Sequence, residues 1–261
     1  MNSIFRMVPP VETAGPSIAV YRTKFHLETE QTFRLRWFAD EHAELFLNGG
    51  FLCAGPAGCT PRRWFLETFE RTLPAGEYTL TARVTMFGRN LAPHAQESVA
   101  FGFYAESEQL TDGWECQTLR HLEFTPPYPD WAMAPRMTAA PEFNWRALEG
   151  EDGKWESVAF REDTRPLFPR PVPPMEEKPE RAYRIIERPD GSNLFVFDQY
   201  VCVWSDFRFR GTGSVSIRWT ETLYRPGSFQ TRDLIGDKGD RRIFEGKEWI
   251  GNATVLNLPG G

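Results

Sequence analysis

Apolar and polar residues alternate along several short segments of this chain, which is the pattern of half-buried β-strands. In Phe33–Trp37, apolar residues occupy every second position and arginines stand between them. Glu77–Met86 and Ser98–Glu106 are rich in β-branched and aromatic residues, which favour strands. Such segments, separated by turn signals, predict an antiparallel sandwich over about residues 5–125.

A β-hairpin is the clearest local signal. Glu44–Leu47 and Gly50–Cys53 are strand-like, and Asn48-Gly49 between them tolerates the positive φ angles of a type I′ turn. The loop that follows, Gly55–Phe65, is rich in glycine, proline, arginine and tryptophan. The pattern therefore predicts a hairpin that leads into an irregular loop.

Prolines are concentrated in residues 126–180. Each proline removes a backbone donor and restricts the residue before it, so regular structure is not expected to run through this segment. We interpret it as a linker that wraps over the surface. Its tryptophans, Trp131, Trp145 and Trp155, are expected to anchor it to neighbouring domains.

Strand signals resume at Asn193–Asp198 and Ser214–Glu221, whereas Arg225–Gly251 predicts a charged loop. Helix is expected to contribute only a turn or two, near Phe65–Phe69.

The predicted fold class is all-β. Two antiparallel, jelly-roll-like sandwiches are expected at residues 1–125 and 181–261, joined by the linker at 126–180.

Composition narrows the function classes. The net charge is −6 and the isoelectric point about 5.4, so no overall field attracts nucleic acid or an anionic membrane. No apolar run approaches the roughly 20 residues of a membrane helix, and the first residues lack the apolar core of a secretory signal. We expect a soluble, cytoplasmic protein without nucleic-acid or membrane partners.

The cysteines and histidines suggest no metal. Cys53, Cys59, Cys116 and Cys202 lack zinc-type spacing, and the four histidines have no ligand spacing relative to one another. A Cys53–Cys59 bridge across the hairpin stays open, but reduced, partly buried thiols are the favoured interpretation. No metal and no cofactor are predicted.

Arg62, Arg63 and Trp64 are the candidate binding residues for carbohydrate. Guanidinium groups can hydrogen-bond to sugar hydroxyls, and an exposed indole can stack on a pyranose ring. In the alternative interpretation, Trp64 packs under the hairpin while Arg62 pairs with Glu67 or Asp40.

No catalytic residue is predicted. Glycoside hydrolysis needs two carboxylates that flank the scissile bond. Asp40 and Glu41 are adjacent, so their side chains are expected to diverge to opposite faces of a strand, and we interpret them as structural.

The order of these segments resembles the N-terminal β-sandwich region of bacterial α-L-rhamnosidases. The chain departs from the family pattern at Gln199-Tyr200, where a glycine is usual, and around Thr60, where the loop lacks the aspartate with which related modules bind calcium and rhamnose. The resemblance rests on these segments: Trp37–Phe51, Gly55–Phe65, Trp145–Leu148, Trp155, Leu167–Glu177, Phe195–Asp198, Gly211–Glu221 and Gly236–Arg242.

This resemblance implies a parent enzyme that removes terminal rhamnose, or a related deoxysugar, by inverting hydrolysis on an (α/α) barrel following residue 261. The present chain is then a non-catalytic part that supports and positions the barrel, with rhamnose-containing glycans as further partners. A second sandwich lacking its last strand is expected to expose an apolar edge and to aggregate. A stand-alone carbohydrate-binding module, favoured by an exposed Trp64, and a purely structural sandwich pair are the alternatives.

Overall fold

The computed structural model describes residues 4–10, 16–57, 63–86, 100–111, 113–125, 136–173, 183–187, 191, 193–197, 214–217, 242–244, 248–250 and 256–259. The chain divides into two compact units, residues 1–173 and 174–261, which are described separately. Across the described ranges, no helix combines the length and the apolar character that crossing a membrane requires.

The first unit is built from short and medium strands. Its described residues form β1 Ile4–Val8, β2 Ser17–Leu27, β3 Gln31–Ala39, β4 His42–Leu47, β5 Gly50–Gly55, β6 Trp64–Leu73, β7 Gly76–Met86, β8 Phe103–Glu106, β9 Glu115–Thr118, β10 Leu122–Thr125, β11 Arg136–Ala139, the 3₁₀ helix Trp145–Glu149, β12 Glu156–Ser157, β13 Ala159–Asp163 and β14 Leu167–Pro169.

Two six-stranded sheets make a sandwich. Sheet A has the order β13-β1-β8-β3-β6-β14 and sheet B the order β12-β9-β2-β7-β4-β5. Neighbouring strands are antiparallel, except that β14 runs parallel to β6. The all-β prediction is confirmed, because the alternating segments become strands with one face on a shared core.

The main core lies between the sheets. Phe33, Leu35 and Trp37 alternate inward from β3, and each is at most 1% exposed. Phe33 stacks on Phe25 of β2 with ring centroids 4.9 Å apart. Burying each such side chain contributes about 1.5–3 kcal/mol.

The predicted hairpin is confirmed as β4 and β5. Asn48 and Gly49 adopt φ angles of 48° and 77°, the left-handed region that this turn requires. The Asn48 side chain also ties the turn to β7, because its Oδ1 accepts from the backbone N–H of Thr79 at 2.8 Å.

The helical turn expected near Phe65–Phe69 is wrong, because β6 runs through those residues. Residues 66–71 include good helix formers, but β6 pairs with β14 at residues 64–66 and with β3 at residues 67–73, with Phe69 opposite Leu35. Cross-strand packing therefore overrides local propensity here.

The predicted linker contains strands of the first unit. β12 pairs with β9, β13 with β1, and β14 with β6. The division between the two compact units falls after Pro173. These strands are two to five residues long. Pro169 is the last residue of β14, at the edge of sheet A, where a missing donor is tolerated.

Part of this segment covers the outer face of sheet B. We call residues 136–155 the strap. Ile18 and Val20 point outward from β2 and form a cluster with Phe143 and Ala147 of the strap. Trp155 packs against the same cluster as an anchor, whereas Trp145 is 61% exposed; Trp131 lies outside the described residues.

The second unit is described only as three antiparallel strand pairs. β15 pairs with β16, β17 with β20, and β18 with β19. The pair β18–β19 lies inside the segment expected to be a charged loop. The bounds are β15 Tyr183–Glu187, β16 Asn193–Phe197, β17 Ser214–Ile217, β18 Arg242–Phe244, β19 Glu248–Ile250 and β20 Leu256–Pro259.

Candidate functional site

The predicted binding residues lie in different environments. Arg62 lies outside the described residues. Arg63 is exposed, and its guanidinium carbon lies 5.6 Å from the centroid of the Phe168 ring. Trp64, the first residue of β6, is 2% exposed. The structure therefore does not present Arg63 and Trp64 together on one open surface.

Trp64 belongs to a third apolar cluster, on the outer face of sheet A. Its neighbours there are Phe38, with ring centroids 4.5 Å apart, and Leu66. The guanidinium carbon of Arg165 lies 3.8 Å from the centroid of the indole ring. Trp64 is therefore packed, but against sheet A and not under the hairpin. Sugar binding by Arg62, Arg63 and Trp64 stays a prediction.

Arg165 is held over Trp64 by Asp163. The Nε of Arg165 donates to Oδ1 of Asp163 at 2.8 Å, and the Nε of Arg6 lies 3.4 Å from Oδ2. Burial favours the neutral carboxyl, but the hydrogen bonds and charges of Arg165 and Arg6 outweigh it and hold the pKa of Asp163 below its usual range.

Glu67 is a buried carboxylate that the sequence analysis considered only as a partner for Arg62. Its Oε1 accepts from the backbone N–H of Ala57 at 2.7 Å, and its Oε2 accepts from Nη1 of Arg170 at 3.0 Å. Glu67 thus ties the glycine-proline loop after β5 to the segment after β14. No local pattern signals this burial, because Glu67 lies opposite the core residue Trp37 only once β6 has paired with β3.

The acidic pair at the end of β3 is buried. Asp40 and Glu41 are 2% and 4% exposed. Oδ2 of Asp40 accepts from the backbone N–H of Ala100 at 3.1 Å, and its own backbone N–H donates to the carbonyl of Gly102. These bonds fasten the approach to β8, which begins at Phe103; the first residues of the predicted strand, 98 and 99, lie outside the described residues. These contacts agree with the structural interpretation of Asp40.

Two of the four cysteines are described, and both are free thiols. Burial raises the pKa of Cys53 to about 12 and that of Cys116 to about 11. A thiol that stays protonated at neutral pH is a poor nucleophile and a poor metal ligand. Within the described ranges, no three His, Cys, Asp or Glu side chains come together as a metal site.

An open polar groove lies elsewhere on the outer face of sheet A. It has a volume of about 690 Å³ and is lined by Thr32, Arg34 and Arg36 of β3 and by residues 106–109 after β8. No local sequence pattern marks this groove, since its residues come from segments about 70 positions apart.

The comparisons with known proteins show similarity of fold. No family model matches the sequence, and no curated protein is significantly similar to it. The fold is similar to that of the GH78 family rhamnosidase of Bacillus sp. GL1, with a TM-score of 0.53 and 17% sequence identity over 65% of this chain. The native α-L-rhamnosidase of Aspergillus terreus gives a TM-score of 0.48 and 13% identity over 98% of this chain. The chain spans 20% and 32% of the length of these two proteins.

Proposed function

We propose that this chain is a non-catalytic β-sandwich region of an α-L-rhamnosidase-like glycoside hydrolase, and that it supports and positions an (α/α) catalytic barrel. The observation that supports this most directly is the fold similarity to the GH78 rhamnosidase of Bacillus sp. GL1 over 65% of the chain. The order of sequence segments resembling that family adds independent support, because it does not depend on the coordinates.

The contacts of three buried acidic residues fit a non-catalytic role. Asp40, Glu67 and Asp163 are buried, and each accepts hydrogen bonds from the protein's own groups. A glycosidase needs an acid and a base on either side of a bound sugar, about 6.5–9.5 Å apart in inverting enzymes. Carboxylates engaged in this way hold strands and loops together, and they are not free to transfer a proton.

Hydrolysis assays test the non-catalytic role. The purified 261-residue chain is incubated with an aryl α-L-rhamnoside, and release of the phenol is followed. We expect no turnover above a heat-treated sample. Turnover that disappears when one carboxylate of this chain is changed to its amide would overturn the proposal.

The coding DNA tests the supporting role. We expect the reading frame to continue past Gly261 into a helical segment with the acidic catalytic residues of the resembling family. A stop codon directly after Gly261, or an unrelated following domain, would contradict the proposed partner barrel and would favour a stand-alone module.

A further inference from the structure

The groove on sheet A exists because two neighbouring strands differ in length. β8 pairs with residues 36–39 of β3 and ends at Glu106, so the first half of β3 has β6 on one side only. The chain after β8 turns alongside it, and the amide nitrogen of Gln109 donates to the carbonyl of Thr32 at 3.4 Å. The opening of about 690 Å³ between strand and turn lies within the range of small-ligand sites.

The groove offers both donors and acceptors. Arg34 and Arg36 project from alternate positions of β3, and guanidinium groups only donate hydrogen bonds. The carboxylates of Glu106 and Glu108 only accept. A ligand hydroxyl both donates and accepts, so a ligand carrying several hydroxyls can satisfy both kinds of group together.

The lining is balanced in charge. Arg34 and Arg36 supply two positive charges, and Glu106 and Glu108 supply two negative charges. Such a site does not select a strongly charged ligand by its field.

Glu106 is held in place before any ligand arrives. Its Oε1 lies 2.5 Å from Nη1 of Arg36, and its Oε2 accepts from the hydroxyl of Tyr104 at 2.5 Å. The Tyr104 ring is in turn stacked on Phe38, with ring centroids 5.5 Å apart. A preorganised carboxylate loses little conformational entropy when it binds.

Arg34 remains available to a ligand. Its side chain is 65% exposed, and its ion pair with Glu70 is loose, with 3.6 Å between Nε and Oε2. A guanidinium has five N–H donors, so this contact leaves donors for another partner.

We propose that this groove binds a neutral, hydroxyl-rich ligand, one or two sugar units of a glycan, through Arg34, Arg36 and Glu106. This site is distinct from Trp64, because Trp64 begins β6, whereas Glu70, the partner of Arg34, lies six residues further along that strand. Sugar binding here does not require the proposed catalytic partner, so its failure would leave the supporting role untouched.

The experiment is a titration of the full 261-residue chain, labelled with ¹⁵N and observed through its arginine Nε–H signals. The probes are methyl α-L-rhamnopyranoside, methyl α-D-glucopyranoside and sodium D-glucuronate. We expect at least one neutral glycoside to shift the Arg34 and Arg36 signals saturably. We also expect glucuronate to bind no more tightly than that glycoside.

Matched variants locate the site. Arg36→Met and Glu106→Gln should each weaken binding about tenfold, as expected for loss of one hydrogen bond to a charged group. Lys24→Met, at an exposed position of β2 in sheet B, should leave binding unchanged. Both groove residues are at least 40% exposed, and far-UV circular dichroism confirms the folding of each variant.

Three outcomes would overturn the proposal. They are an absence of saturable shifts with both neutral glycosides, tighter binding of glucuronate than of either, and equal weakening by Lys24→Met and the groove variants.

Discussion

The two outer faces of the sandwich differ in how much of their surface is covered by other segments. On sheet B, the outward residues Ile18 and Val20 are apolar, and the strap covers them. On sheet A, one end carries the apolar cluster around Trp64 under Arg165, whereas the other carries Arg34 and Arg36 in an open groove.

This difference shows where the proline-rich segment packs: it covers apolar patches on the outer faces of the sheets. Where outward side chains are apolar, residues 136–170 cover them, because burial removes that surface from water. Around Arg34 and Arg36, burial would cost desolvation, and this part of the face stays open. A covered face contributes to stability, whereas an open polar face is available for recognition.

The largest expected effect comes from the cluster on sheet A. Trp64→Ala should lower the free energy of unfolding by about 3–5 kcal/mol, because it leaves a cavity beside Phe38 and Leu66. Urea denaturation measures this loss. Trp145→Ala is the control, because that side chain is 61% exposed and should cost less than about 1 kcal/mol. Equal small losses would show that Trp64 does not belong to a packed cluster.

A smaller effect is expected where the strap meets sheet B. Gly150 has a φ of +75°, and an added Cβ would lie 3.1 Å from Cγ2 of Thr81 and 3.2 Å from Cγ1 of Val20. Gly150→Ala should therefore cost about 1–3 kcal/mol in urea denaturation, since backbone strain and crowding add together.

Gly49→Ala separates the two causes. Gly49 has a φ of +77° with no atom within 4 Å of an added Cβ, so it should show only the backbone cost of about 1 kcal/mol. If Gly49→Ala lowered the free energy of unfolding as much as Gly150→Ala, steric contact between the strap and sheet B would add nothing to the cost at Gly150.

The smallest effect on stability is expected at Asp163, which holds Arg165 over the Trp64 cluster. This effect depends on pH. The pKa of Asp163 is below its usual range, so its ionisation stabilises the fold above about pH 4, and this contribution is lost as pH falls through the folded-state pKa. The stability difference between the native chain and Asp163→Asn should be constant from pH 7 to about 5 and should shrink towards pH 3.

Urea denaturation at several pH values measures this difference. Asp152→Asn, at a half-exposed position, controls for the removal of a carboxylate. A difference that grows as the pH falls would contradict the stabilising role of Asp163.

Sequence patterns were sufficient for features that depend on neighbours along the chain. The alternation in Phe33–Trp37 predicted the inward side of β3, and Asn48-Gly49 predicted the hairpin turn, because side-chain period and φ preference are local properties. The strand at Phe65–Phe69 does not follow from local pattern, because pairing with β14 and β3 decides it.

The candidate site shows the same limit. The sequence singles out Trp64 but is compatible with both packing in the protein and stacking on a sugar. The position of Arg165 over the Trp64 ring does not follow from sequence spacing. The groove depends on where β8 ends relative to β3.

By itself, the sequence determined the all-β class, the main strands of the first unit and the hairpin, since each follows from alternation or turn chemistry within a few residues. Only the tertiary structure decided that residues 136–173 complete the first unit, that Glu67 pairs with Arg170, and that Arg34 and Arg36 border an open groove. These features join segments far apart in the chain, and their energies depend on burial and partner distance, which no local pattern contains.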